Sequence, residues 1–395
     1  MEPYFAEEFG NPANVYELGY RARRAVENSL CKIAAVLNCK PEEFIFTGSA
    51  TESDNLAILG VARANKEFGN KIIISNIEHK GIIAACDALK EEGFKICELK
   101  AGKDGLINPE DLKKFLDERT ILVSITYADN ETGTIQPIEE LDIIIKKFRD
   151  NNNRTLPYFH IDAAQAAPYL DLDVGKLNVD LMTLSSHKIY GPKGIAGLYI
   201  REGINIKPVI FGGGLRSKLR SGTENVPGIV GFAEALSIVS KEKAKEFERI
   251  KKLRDKLQKG ILKSIPKVVL NGHLAYQLPN FINVSILDIE GEALLLHLSE
   301  KGIYVNTGSA CNAEKLEPSH ILAALGLPYE YIHGSIRFTL GKSTTDKSIN
   351  YVLDHLPEIV YKLRQISPLN INIEEKKIIS QPAAFVGGKT PHFLR

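Results

Sequence analysis

The chain begins with a helical stripe. Apolar side chains recur at Leu18, Ala22, Ala25, Val26, Leu30, Ile33 and Leu37 within residues 15–37, the spacing of one helix face. Short continuous apolar runs then alternate with further helical patterns. Strands are expected at Phe44–Phe46, Lys71–Ser75, 94–98, Ile121–Ile125, Tyr158–Ile161, Asp180–Leu184 and Gly197–Ile200. Helices are expected at Glu52–Phe68, 80–91, from Pro109, and at 137–149 behind Pro137, proline being favoured in a first helical turn. Strands that are apolar throughout belong to a parallel or mostly parallel sheet with both faces covered.

The pattern changes at a long helix near 227–262, rich in Lys and Glu in its second half. Beyond it lie expected strands at 280–286 and 335–340 and helices at 291–300, 318–325 and 345–365. The fold class is therefore α/β. A large domain over 1–245 carries a mostly parallel seven-stranded sheet, and a smaller α+β C-terminal domain covers 246–369. Residues 370–395, polar and broken by Pro382, Gly387, Gly388 and Pro391, read as a tail.

Composition narrows the classes. A chain of 395 residues suits two domains. Lys plus Arg number 50 and Asp plus Glu 49, a net charge of +1, so no global field draws in nucleic acid or an anionic membrane. No apolar run approaches the roughly 18–20 residues of a membrane span, and the acidic start lacks the apolar core of a signal peptide. Five cysteines without a C-x-x-C pair read as reduced thiols of a cytoplasmic protein. Four of them, Cys31, Cys39, Cys86 and Cys97, are expected to be small buried apolar residues. No metal site is expected.

The strongest chemical signal runs from Val179 to Gly194, where an apolar strand leads into Ser185-Ser186-His187-Lys188 and a Gly-Pro-Lys-Gly turn. A lysine past the carboxyl end of a central strand sits where α/β sheets place ligands, and it can carry pyridoxal phosphate (PLP) as a Schiff base. Such a lysine is otherwise a solvated loop residue. PLP also needs an acidic partner for its pyridine nitrogen. Asp162 ends the strand Phe159-His160-Ile161 and serves equally well as a helix cap. A phosphate cradle is available in Thr47-Gly48-Ser49-Ala50-Thr51, between a strand and a helix. His79, after another strand, can stack on a flat ring.

These residues bring the chain close to a known family. It resembles the cysteine desulfurases of the NifS and IscS type, in the class V branch of fold-type I PLP enzymes. The resemblance rests on FGNPAN (9–14), ATESDNLAI (50–58), EHK (78–80), DNETG (129–133), HIDAAQA (160–166), SSHKIYGPKG (185–194), LRSGTEN (219–225), GSACN (308–312), EPSHIL (317–322) and SIRFTLG (335–341).

The resemblance implies a role for each site residue. Lys188 carries PLP, Asp162 pairs with the pyridine nitrogen, and His79 stacks on the ring. Gln165 and Asn130 reach the phenolate oxygen or the substrate carboxylate. Ala50, Thr51, Ser185 and His187 belong to the cofactor site, largely at the phosphate. Thr223 reaches the phosphate of the partner subunit's cofactor, which implies a homodimer. Arg337 holds the carboxylate of L-cysteine as a bidentate fork. Cys311, in a long loop of small and polar residues, is the sulfur-accepting nucleophile.

That long loop is similar to the loop of the family's housekeeping group, which serves iron–sulfur assembly and tRNA thiolation. The implied acceptor is an iron–sulfur scaffold protein or another sulfur carrier, with Cys311 able to contact a cluster in the scaffold complex. There are departures. The family's usual N-terminal segment is expected to be missing, Ser185-Ser186 has Ser where Gly is common, and Leu215 to Lys218 replace the usual residues after a glycine run. The competing readings are a selenocysteine lyase, another class V PLP enzyme, and a weakly active desulfurase-like scaffold subunit.

Overall fold

The computed structural model describes residues 1–213, 218–307 and 318–368. The chain divides into two compact units. One holds residues 1–100, 107–128 and 136–243; the other holds 101–106, 129–135 and the chain from Ala244 on.

The first unit is built on one sheet: β1 (Phe44–Thr47), β2 (Lys71–Ser75), β3 (Lys95–Leu99), β4 (Thr120–Thr126), β5 (Tyr158–Asp162), β6 (Leu181–Ser185) and β7 (Ala196–Ile200). The spatial order is β1-β7-β6-β5-β4-β2-β3. The strands from β6 to β3 are parallel, and β7 is antiparallel to both neighbours. This is the mostly parallel seven-stranded sheet that the apolar runs imply. Every residue of β2, β4, β5, β6 and β7 is buried, so none of these strands needs a polar face.

Helices of this unit include α1 (Glu17–Leu37), α2 (Ala50–Asn55), α3 (Lys80–Glu91), α4 (Pro109–Phe115) and α5 (Ile138–Asn151). On α1 the stripe Ala22, Val26, Leu30, Ile33 and Leu37 is buried. Each large apolar side chain contributes about 1.5–3 kcal/mol, so the stripe sets the rotation of the helix. Cys31 then faces solvent, and Cys39 is only half-buried; Cys86 and Cys97 alone are buried as expected.

The helix expected at Glu52–Phe68 starts earlier, at Ala50, because the Ser49 hydroxyl accepts the Glu52 N–H at 3.1 Å. It continues through a π turn at Leu56–Gly60 and a last turn at Val61–Ala64. Asn65 stops it, donating its side-chain amide to the Val61 carbonyl at 2.8 Å.

A long helix, α6, spans Val226–Ser264. The second unit's sheet holds β8 (Val268–Asn271), β9 (Phe281–Ile286), β10 (Asn306–Thr307) and β11 (Ser335–Thr339), all antiparallel in the order β10-β11-β9-β8. Helices α7 (Gly291–Glu300), α8 (His320–Ala324) and α9 (Asp346–Ile366) accompany it. Its core joins Val284 and Ile336 of the sheet to Leu294 of α7 and Leu356 of α9. Strands β8 and β10 were not expected: each is short and neither carries a regular alternation. No helix among the described residues is long and apolar enough to cross a membrane.

Candidate active site

Parallel pairing brings the carboxyl ends of β4, β5 and β6 to one edge of the first unit's sheet. Thr126 lies opposite Asp162, and Asp162 opposite Thr183. From β6 the chain passes straight into a 3₁₀ turn, Ser186–Ile189, which exposes His187 and Lys188. The turn closes at Tyr190 with φ 66° and a hydrogen bond from the Gly191 N–H to the Ser186 carbonyl at 2.9 Å. Ser185 and His187 share a hydrogen bond at 3.1 Å between Oγ and Nδ1. Partial burial and the positive charges of Lys188 and Lys193 hold the His187 imidazole below its usual range.

Asp162 is buried, and its Oδ1 accepts the Ala164 N–H at 2.9 Å. Burial pushes its carboxyl upward, while that hydrogen bond, His79 and Lys188 each pull it back toward ionisation. The opposing pulls of His79 and Lys188 place both groups within electrostatic reach of Asp162. Gln165, half-buried, lies in the turn after β5.

His79 caps α3, its Nδ1 accepting the Gly81 N–H at 3.1 Å. A Cβ on Gly81 would stand 3.1 Å from that nitrogen and 3.2 Å from Thr51 Cγ2. Glycine at this position thus permits the start of α3, with His79, to approach Thr51 at the start of α2. Ala50 and Thr51 open α2 behind the Ser49 cap. Glu52 turns away from them, accepting the Gly48 N–H at 2.7 Å and the Arg220 Nε–H at 2.9 Å. Thr223 lines a pocket of about 120 Å³ with Gly48, Gly194 and Arg220.

This donor set fits PLP. A helix start with Ser and Thr hydroxyls suits a phosphate. A buried carboxylate suits a protonated ring nitrogen, and an exposed lysine beside it suits an aldehyde.

The other expected residues lie in the second unit. Arg337 of β11 donates from Nη1 to the Asn130 main-chain carbonyl at 2.6 Å. Its Nε is buried and without a hydrogen-bond partner among the described residues. The loop around Asn130 is folded by Asp129, whose carboxylate accepts the N–H groups of Glu131, Thr132 and Thr134 at 2.9, 2.7 and 2.9 Å. Cys311 lies outside the described residues.

Five further residues, Asp54, Glu78 and His160 in the first unit and Glu131 and Ser319 in the second, have no role in the sequence reading. All five sit inside the quoted motifs, Glu78 next to His79 and Glu131 next to Asn130. Glu131 accepts the Ser319 hydroxyl at 2.5 Å, and Ser319 also caps α8 through the Leu322 N–H at 3.1 Å. Asp54, Glu78 and His160 are fully buried behind the strand ends.

Residues 1–352 match the family model described as aminotransferase class-V. The chain is 47% identical over 369 residues to the cysteine desulfurase IscS of Methanosarcina thermophila, covering 93% of this chain and 89% of that one. It is 46% identical to the cysteine desulfurase IscS of Dictyoglomus turgidum, covering 93% and 92%. Among solved structures, a NifS-like protein superposes with a TM-score of 0.85 at 37% identity, covering 92% of this chain and 94% of that one. The chain therefore belongs to the class V aminotransferases, among their cysteine desulfurases.

Proposed function

We propose that the protein removes sulfur from L-cysteine with PLP as cofactor, releasing alanine and keeping the sulfur as a persulfide on Cys311. PLP, carried by Lys188, supplies the electron sink that makes the substrate Cα–H bond breakable. Asp162 keeps a proton on the ring nitrogen and His79 covers one face of the ring. The N–H groups and hydroxyls at Ala50, Thr51, Ser185 and His187 take the phosphate, with Thr223 reaching the site of a second copy in a homodimer. Gln165 and Asn130 orient the ring oxygen or the substrate. The Arg337 fork takes the substrate carboxylate. With PLP bound, the Lys188 amine would serve as the base that moves the substrate Cα proton. The Cys311 thiolate then attacks the substrate sulfur. The C–S bond breaks, the sulfur stays on Cys311, and the remaining fragment gains protons and leaves as alanine.

One observation carries the reading most. Asp162 and the Lys188 turn follow from adjacent, paired strands, and both Lys188 and His79 favour the charge on Asp162. The thiols add to it. Burial pushes Cys39 and Cys86 up to about 12, and only a thiolate is a nucleophile. The four described cysteines are all free, which supports a reducing, cytoplasmic setting. The persulfide would pass to an iron–sulfur scaffold protein or another sulfur acceptor, with Cys311 contacting a cluster in the scaffold complex. The test is a spectrum and an assay: a PLP absorbance band lost in Lys188→Ala, and equal yields of sulfide and alanine from L-cysteine under reductant. A purified, folded protein that takes up PLP but releases no alanine from L-cysteine contradicts the reading.

A further inference from the structure

Behind the ends of β4, β5 and β6 lies a buried layer of which the reaction above uses only Asp162. Asp54 on α2, Glu78 in the turn before α3 and His160 on β5 are 0% exposed, and Asp162 is 7% exposed. Neither oxygen of Asp54 has a hydrogen-bond partner of ordinary geometry among the described residues. The Thr183 hydroxyl eases a charge there less than burial opposes it. The basic side chain beside Asp54 is His160, whose Nε2 stands 3.9 Å from Oδ1.

That imidazole is not a cation. Its Nδ1 shares a hydrogen bond with the Ser124 hydroxyl at 2.8 Å, and its Nε2 shares one with the Thr183 hydroxyl at 3.0 Å. One donor and one acceptor satisfy a neutral ring there, and burial pushes His160 down to about 3. A carboxylate at Asp54 would thus be buried, unpaired and close to a second carboxylate, the costliest of its states.

The groups facing this layer decide where its charge goes. Asp54 faces His160 and Asp162 from β5 and Glu78 from the turn before α3. Glu78 is fully buried itself and accepts the Thr126 N–H at 2.9 Å and the Ser75 hydroxyl. It also lies within electrostatic reach of Asp162 and of Cys86 on α3. Asp162 alone has an ordinary N–H donor together with His79 and Lys188 at its side. Two carboxylates sharing one dry site do not both ionise. Burial, and then the Asp162 charge, push Asp54 well above the usual carboxylate range.

We propose that Asp54 is a positioning residue for Asp162: it is kept as a neutral carboxylic acid behind β5, so that the negative charge of this layer stays on Asp162. The proposal rests on the reading of Asp162 as the partner of the ring nitrogen. It gives the electron sink a second requirement, a protonated acid behind the charged one.

The test uses the PLP-bound enzyme at neutral pH, grown with carboxyl-¹³C aspartate and reconstituted with ring-¹⁵N PLP. Infrared spectra are expected to show a label-sensitive band of a protonated aspartic acid, absent from Asp54→Asn and retained in Asp162→Asn. The ring-nitrogen shift is expected to be the same in the wild type and Asp54→Asn, because the amide preserves neutrality. Absence of the band from the wild type overturns the proposal, whether or not the variants fold. So does a band that vanishes in Asp162→Asn, or loss of the ring proton in Asp54→Asn. An unchanged ring-nitrogen shift in Asp162→Asn overturns the underlying reading of Asp162 and the link to it, while the infrared band still reports Asp54 separately.

Discussion

The guanidinium of Arg337 donates to the main-chain carbonyl of Asn130 at 2.6 Å across 207 residues of sequence. That bond uses one edge of the fork and fixes the direction of the rest, leaving Nε buried with no partner among the described residues. A charged donor held this way is prepared for a carboxylate. Arg337→Lys keeps the charge and loses the fork. A hydrogen bond to a charged group is worth about 1.5–3 kcal/mol, so KM for L-cysteine is expected to rise about tenfold or more, with a smaller change in kcat. Steady-state kinetics check this; an unchanged KM removes Arg337 from the substrate site.

Asp162→Asn separates holding the cofactor from using it. The buried carboxylate matters most when negative charge builds up on the substrate, so its loss weakens the reaction more than it weakens binding. The rate of alanine release is expected to fall on the order of a hundredfold, while PLP content falls far less. A variant that folds, holds PLP and keeps the wild-type rate contradicts the assignment.

His160 gives a pH signature to stability. Burial pushes it from the usual histidine range down to about 3. In the unfolded chain it takes up a proton near pH 6.5, whereas the folded protein resists doing so. Its contribution is complete above about pH 6.5 and is lost as pH falls toward the folded value, at up to about 1.4 kcal/mol per pH unit. Denaturant unfolding between about pH 7 and pH 4 is expected to show a shallower acid decline in His160→Gln than in the wild type. Parallel declines would mean that His160 titrates alike in both states.

The glycine of the DNETG segment is tied to packing. Gly133 has φ 75°, and a Cβ there would lie 2.7 Å from the Cβ of Phe281. Gly133→Ala meets both backbone strain and overlap with a core side chain, and is expected to cost about 1–3 kcal/mol of stability. Urea unfolding measures it, and a stability equal to the wild type would contradict the close approach.

Much of this was legible in the sequence, for identifiable reasons. Most strands of the first unit are short, mainly apolar runs, so their existence follows from the sequence pattern, whereas β3 sets exposed Lys95 and Glu98 against buried Cys97 and Leu99. Asp162 stands out as the polar end of such a run, and Lys188 as a lysine in the turn that follows β6. The two-residue β10 leaves no pattern to read, and the π turn at Leu56–Gly60 keeps helical spacing while changing the hydrogen bonding. Cys31 faces solvent because the phase of the α1 stripe, and not the apolar character of cysteine, sets its side of the helix. Asp54 and Glu78 were passed over for a related reason. A carboxylate is ordinarily solvated, and only the fold reveals that these two lie on the dry side of the strand ends.

The central claim is that sulfur leaves L-cysteine for Cys311. The direct measurement is peptide mass spectrometry after brief exposure of the PLP-bound enzyme to L-cysteine without reductant. One additional sulfur is expected on the peptide carrying Cys311, and none on those carrying Cys31, Cys39, Cys86 or Cys97. Cys311→Ser is expected to keep the PLP spectrum and its response to L-cysteine while forming neither persulfide nor alanine at a useful rate. Sulfur found on one of the other four cysteines, or alanine released at the wild-type rate by Cys311→Ser, would contradict the account.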